Sequence, residues 1–146
     1  MANQKTLTAA NNILLIAIPG IYDVAQRIQG FASDDAFQFT DPETGETLMG
    51  VDGILSYGWV PMSLDQTIML QADSKSIQLF DDWYMFEQQL GDKIAASGTV
   101  SLPSIGKTYN LTRGVFITPS VVPGVKKLLQ PRKFVIRWNY VEPANI

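Results

Sequence analysis

Neither cysteine nor histidine occurs among the 146 residues. The first absence excludes disulfides, thiolate nucleophiles and cysteine metal sites. The second removes the commonest general base near neutral pH and the commonest metal ligand. Zinc and haem sites of the usual kind, and Ser-His-Asp chemistry, go with them. Long apolar runs are missing too. "NNILLIAIPGI" is far too short to span a bilayer, and it has neither a cationic start nor a small-residue cleavage site. It reads as a buried strand, and no membrane is expected among the partners. Basic charge is scarce. Against 14 Asp and Glu stand 11 Lys and Arg, a formal net charge of -3, which gives no general pull toward nucleic acid.

The charge that is present is unevenly spread. From Asp34 to Asp92 there are twelve acidic residues and one basic, Lys75; from Lys93 to Glu142 there are eight basic and one acidic. Either folding mixes the two halves, or copies of the chain meet acidic face to basic face, a contact that repeats head to tail.

The length suits one domain, residues 1–146, with room for a sizeable core. Residues 1–12 are polar and small, as in an arm. Ile13 to Ile18 is a core strand ended by Pro19-Gly20. A second strand is expected in "YDVAQRIQGFA", and "DAFQFTD" alternates cleanly around Phe37 and Phe39. Residues 41–58 read as an extended loop. Pro42 and Gly45 make a turn, glycines recur at 50, 53 and 58, and the scattered apolar residues argue against disorder. Such a segment either folds back on its own core or docks on a partner. "DQTIMLQA" is a strand with Ile68 and Leu70 on one face. "GTVSLPS" alternates as well. "GKTYNLTRGVFITPS" is a strand pair or one long bent strand, with Tyr109, Leu111, Val115 and Ile117 in period two. The last strand sets Phe134, Ile136, Trp138 and Tyr140 against Lys133, Val135, Arg137 and Asn139.

One helix interrupts this pattern. Asp73, Ser74 and Ser76 are good N-caps, and Gly91 ends the helix. Leu79, Trp83, Phe86 and Leu90 form one apolar stripe, with Ile77, Phe80 and Tyr84 beside it. That arc is wider than one sheet contact needs, so a second side faces either the same subunit or another copy. The order β-rich, helix, β-rich gives a mainly β fold, a β-sandwich or barrel, with one α-helix packed on the outside.

Chemistry finds no foothold. Adjacent carboxylates in Asp34-Asp35 and Asp81-Asp82 point apart, so neither pair is built to share a proton or a metal, and both read as solvated surface. "DPETGE" lacks EF-hand spacing, and "GVDG" has no phosphate-loop context. Lys126, Lys127, Arg132 and Lys133 form a basic cluster near Trp138, but its aromatics alternate with charge across a strand, unlike a single-strand nucleic-acid groove. No cofactor, no metal and no enzymatic activity are expected.

Four stretches in order carry a resemblance over residues 50 to 142. "LQADSKSIQLFDDWY", "SGTVSLPSIGKTYNLTRGVF" and "LLQPRKFVIRW" give a strand into a capped aromatic helix, a strand pair, and a closing strand. This resembles the tail tube proteins of contractile-tailed (myovirus-type) bacteriophages. The type VI secretion tube protein is similar in architecture. The resemblance implies hexameric rings that stack into a hollow tube inside a contractile sheath, in a virion tail assembled in the host cytoplasm. It implies a tail sheath protein, baseplate and tail terminator proteins as partners, and genomic DNA passing the lumen without specific binding. On this reading the 41–58 segment bridges to the adjacent ring. The expected assembly residues are Glu43, Glu46, Leu48, Met49, Val51, Asp52, Ile54, Leu55, Trp83, Phe86, Arg132 and Lys133. The alternative is a monomeric β-barrel small-ligand carrier.

Overall fold

Residues 12–32 and 37–145 are described by the computed structural model. Apart from Asn12, the expected N-terminal arm lies outside them, as does the Asp34-Asp35 pair. The elements in chain order are β1 (Ile13–Ile18), β2 (Tyr22–Arg27), β3 (Phe37–Phe39), β4 (Gly45–Met49), β5 (Leu55–Trp59), β6 (Leu64–Leu70), α1 (Ile77–Leu90), β7 (Ala96–Leu102), β8 (Lys107–Thr118) and β9 (Arg132–Asn145). Seven strands form one antiparallel sheet in the order β2-β1-β7-β8-β9-β6-β3, while β4 and β5 pair only with each other. The large sheet curls so that the chain leaving one edge strand reaches the opposite side. Beyond β2 the chain crosses to β6: Phe31 bridges Leu70, the Ala32 N–H donates to the Met69 carbonyl at 2.9 Å, and the Gln71 N–H donates to Gly30 at 2.8 Å. β3 then continues along that edge of β6. One stretch of chain thus closes the sheet into a barrel, the mainly β architecture expected.

Period-two patterning fills the interior. Leu14, Ile16 and Ile18 of β1, Ile68 and Leu70 of β6, and Phe134, Ile136 and Trp138 of β9 are buried. Tyr140 leaves the core because β6 begins opposite Trp138, so β9 beyond that point pairs, among the described residues, only with β8. On β8 the expected phase fails halfway. Leu111 points inward, but the next buried positions are Gly114 and Phe116, with Val115 and Ile117 on the other side. A bulge at Thr112-Arg113 inserts the extra residue, and Arg113 takes φ 51° to make it. The segment is therefore one bent strand whose inward face shifts by one residue.

That shift makes room for Trp138. A methyl group at Gly114 would lie 2.5 Å from the indole Cζ3, and one at Gly98 would lie 3.4 Å from Cη2. The indole rests on these two bare backbones, and its Nε1 donates to the buried Gln66 Oε1 at 2.9 Å. Asp65 and Arg137 face each other across β6 and β9, with Arg137 donating at 2.7 and 3.2 Å. The guanidinium holds the Asp65 carboxyl below the usual carboxylate range. Exposed as it is, this pair fixes register more than it adds stability.

The helix lies across the barrel end formed by the close of β6 and β8 and the start of β7 and β9. Phe80 stacks on Phe134 with centroids 4.4 Å apart, and Trp83 on Phe116 at 4.8 Å. Trp83 Nε1 donates to the Ile94 carbonyl at 3.0 Å. The expected single stripe is split: Leu79 and Trp83 are buried, whereas Phe86 and Leu90 are exposed. The cause is the chain beyond Gly91, which folds back under Glu87. The Glu87 carboxylate accepts from the Ile94 N–H at 2.9 Å and from Lys93 Nζ at 3.2 Å, so a charged residue takes the inner place. Gly91 is left-handed, φ 73°, and its N–H closes the helix on the Glu87 carbonyl, as expected of a terminator. The N-terminal expectation fails in detail. Ser76 sits at the N-cap without capping; its Oγ accepts from the Gln29 N–H at 2.7 Å instead. Ser74 Oγ donates to the Gln29 carbonyl. The serines tie the helix start to the crossing segment.

Trp138 gives this arrangement a direct test. Gly114→Ala is expected to destabilise the barrel by about 1–3 kcal/mol, since the added methyl forces the indole to move. Gly45→Ala on the free hairpin should stay within about 0.5 kcal/mol of wild type. Urea unfolding midpoints measure both, and equal midpoints for the two variants would contradict the packing described.

Candidate assembly surfaces

The 41–58 segment is an ordered β-hairpin and not a loop. Its register runs from Gly45↔Trp59 to Met49↔Leu55. Its turn is held by the Gly50 N–H to the Ile54 carbonyl at 2.9 Å, the Gly53 N–H to the Gly50 carbonyl at 3.0 Å, and the Ile54 N–H to Asp52 Oδ1 at 3.1 Å. Gly53, at φ 83°, supplies the left-handed residue this turn needs. Paired residues on antiparallel strands point to the same face. One face therefore carries Trp59, Tyr57, Met49 and Leu55, and the other carries Glu46, Leu48 and Ser56. Every residue of β4 and β5 is exposed. Tyr57 is 84 % and Trp59 78 % exposed. A two-stranded hairpin is at best marginally stable alone, and a contiguous apolar face of this kind marks a contact surface.

A second apolar surface lies at the opposite end of the barrel. The hairpin leaves from the end where β6 starts, opposite Trp138; residues 119–131 join β8 to β9 at the end where β6 finishes, opposite Arg132. In that connection Val121, Val122, Val125, Leu128 and Leu129 are exposed. It is nevertheless well held. Val125 bridges Leu129, and the Gln130 N–H donates to the Gly124 carbonyl at 2.8 Å. Its root is fastened by Arg132, which donates to the Ser120 carbonyl and to Asp81 Oδ1, the latter at 2.9 Å, and lies 5.2 Å from the Phe134 ring centroid.

The expected assembly residues divide between these ends. Glu43, Glu46, Leu48, Met49, Val51, Asp52, Ile54 and Leu55 are all exposed on or beside the hairpin, whereas Phe86 and Lys133 are exposed at the helix end. Two need correction. Trp83 is fully buried in the aromatic stack that joins helix to barrel, and Arg132 is 6 % exposed beneath the 119–131 connection, so both serve the subunit's own packing. Tyr57 and Trp59 escaped notice in the sequence although "LSYGW" alternates at 55, 57 and 59; the glycines around that run gave it the look of a loop. Trp138, near the basic cluster in sequence, lies on the core face of β9 as its alternation predicts.

The Asp81-Asp82 pair is also not simply solvated. Asp81 meets Arg132, and Asp82 accepts from the Tyr22 hydroxyl and from Gln78 Nε2 at 2.7 Å. Both carboxylates bind the helix to the barrel wall, one to β9 and one to β2. The Asp82 hydrogen bond, helped by burial and by the charge of Asp82, pushes the Tyr22 phenol up to about 12. Among the described residues no three Asp or Glu come together as a metal would need, and no helix is long and apolar enough to cross a membrane.

This fold, a seven-stranded barrel closed at one end by a helix and carrying a hairpin at the other, is similar to that of proteins in contractile injection systems. The chain superposes with a TM-score of 0.64 on a protein of the sheath-tube complex of an extracellular contractile injection system (PVC), at 13% identity over 91% of this chain and 88% of that one. The score is 0.61, again at 13% identity, for the sheath/tube terminator of that system, covering 98% and 99%. It is 0.54 at 11% identity for the six-fold symmetrised baseplate of the anti-feeding prophage, covering 99% and 98%. No curated protein sequence matches the chain. Residues 5–142 match the tail fiber protein gp32 family, and the chain belongs to that family.

The Tyr22 hydrogen bond predicts a pH signature. A phenol whose folded value is raised contributes its full stability below the ordinary value of 10 and loses it as pH climbs toward about 12. Tyr22→Phe should therefore be less stable than wild type by about 1 kcal/mol at pH 8. The gap between their urea midpoints should narrow from pH 10 upward, and a constant gap would mean the phenol is not held by Asp82.

Proposed function

We propose that the chain is a structural tail protein that polymerises as stacked hexameric rings into a hollow tail tube inside a contractile sheath, through which DNA passes. The observation that carries this reading is the hairpin. The chain holds out an ordered ribbon whose apolar face is left exposed by the described residues. Such a face is completed by a partner, and in a homopolymer the partner is the next copy. The barrel also offers β2 as an edge strand, paired among the described residues only with β1, and such an edge invites pairing with a neighbour in a ring. The six-fold baseplate protein of the same fold supports six copies per ring. Sheath, terminator and baseplate proteins are the partners that fit, because the similar folds belong to such complexes. A lumen of acidic or neutral character repels phosphate, so DNA would slide without being held. The place of action is the virion tail, built in the host cytoplasm.

A carrier of small apolar ligands finds no support. The barrel interior is taken up by Trp138, Phe116, Phe134 and the aliphatic residues around them, and a ligand would have to displace the residues on which the fold rests.

Deleting residues 43 to 53 is expected to leave a folded monomer, with unchanged circular dichroism, that forms no tubes. Negative-stain microscopy of concentrated wild type and deletion mutant reads the difference. Long tubes from the deletion mutant would refute the hairpin's role, and a wild type that never assembles would refute the polymer.

A further inference from the structure

Resting on the reading of this chain as a homopolymer, we infer that the hairpin of one copy docks on the 119–131 connection of the next copy along the axis. Three observations converge. First, the two surfaces leave opposite ends of the barrel, separated by the length of β6. Copies joined through them stack head to tail and never close on themselves as a pair. Five paired residues at about 3.3 Å each give the ribbon a reach of about 17 Å, enough to cross an interface and lie on a neighbour. Second, both surfaces are apolar and ordered. The hairpin presents Met49, Leu55, Tyr57 and Trp59; the connection presents Val122, Val125, Leu128 and Leu129, with Leu128 78 % exposed. Third, their charges are opposite. From Asp41 to Met62 there are four acidic residues, Asp41, Glu43, Glu46 and Asp52, and no basic one; from Pro119 to Pro131 there are two lysines, Lys126 and Lys127, and no acid. Hairpin against hairpin would set four acids against four, whereas hairpin against this connection sets apolar on apolar and brings Lys126 and Lys127 to the acidic rim, with Asp73 beside Leu128 and Leu129 the one acid on the receiving surface.

The absence of native cysteine makes the contact directly testable. Met49→Cys and Leu128→Cys are made separately, mixed at high concentration and oxidised. A covalent dimer joining residue 49 of one chain to residue 128 of another is expected from the mixture, with little from either variant alone. Self-linking of Met49→Cys alone as strong as that of the mixture would overturn the inference, as would tubes that form without any cross-link in the mixture. In the second case the polymer stands and only this contact falls. A cross-link in the absence of tubes leaves the contact standing and removes the tube. As a second arm, Lys126→Glu with Lys127→Glu should abolish tubes, and adding Glu43→Lys with Glu46→Lys should restore them. Full-length tubes from the lysine variant alone would sink the charge match.

Discussion

The stack of Phe80 on Phe134 and Trp83 on Phe116 is the contact on which the rest of the subunit depends. It is where the one helix meets the barrel, and it seals an end that would otherwise expose the core to water. Each such ring buries on the order of 150–250 Å² and dominates its local energetics. The polar ties around it, from Asp81, Asp82, Ser74 and Ser76, orient the helix but are too exposed to hold it alone. Glu87 fits the same scheme. A buried carboxylate is tolerable because the returning chain and Lys93 satisfy it, and in exchange the helix is locked against the strand that follows.

A sealed and filled barrel has a consequence for function. With Trp138 wedged on two glycines and aromatic rings at the closed end, the interior has no task left except stability. The apolar residues that remain, on the hairpin and on the 119–131 connection, are surplus to folding. The 13% identity to proteins of the same fold agrees with that economy, because a barrel preserves volume and alternation more readily than identity.

How much of this the sequence disclosed depends on whether the signal was local. Period-two runs around Phe37, Ile68 and Phe134, and the glycine after Leu90, report themselves because their cause lies within a few residues. The bulge at Arg113 does not. It answers to the bulk of Trp138, 25 positions further along, and nothing in "NLTRGV" marks it. The serines before the helix look like caps because capping is their local use; their actual partners, around Gln29, are adjacent only in the folded chain. The hairpin was misread for the opposite reason. Its glycines are strong local loop signals, and they outweighed the alternation of Leu55, Tyr57 and Trp59. Trp83 and Phe86, three positions apart on one apolar arc, were separated into core and surface by the fold-back at Glu87, which periodicity cannot anticipate.

The lopsided charge of the sequence is resolved by the fold in two ways at once. Arg132 pairs with Asp81 at the helix end of the barrel and Arg137 with Asp65 near the hairpin end, so the basic half of the chain is laid against the acidic half along the barrel wall. Folding does mix the halves there. It does not mix them within the hairpin or within the 119–131 connection. The acids of the hairpin are carried out on one side, and Lys126 and Lys127 on the other, as far apart as the strands allow. What began as an asymmetry in sequence survives as an acidic hairpin and a lysine-bearing connection at opposite ends, the latter with Asp73 beside Leu128 and Leu129. A like charge at both tips would make stacked copies repel; opposite charge lets each copy direct the next into the same orientation. In the proposed stack, that asymmetry would give each copy the same polarity as the one before it.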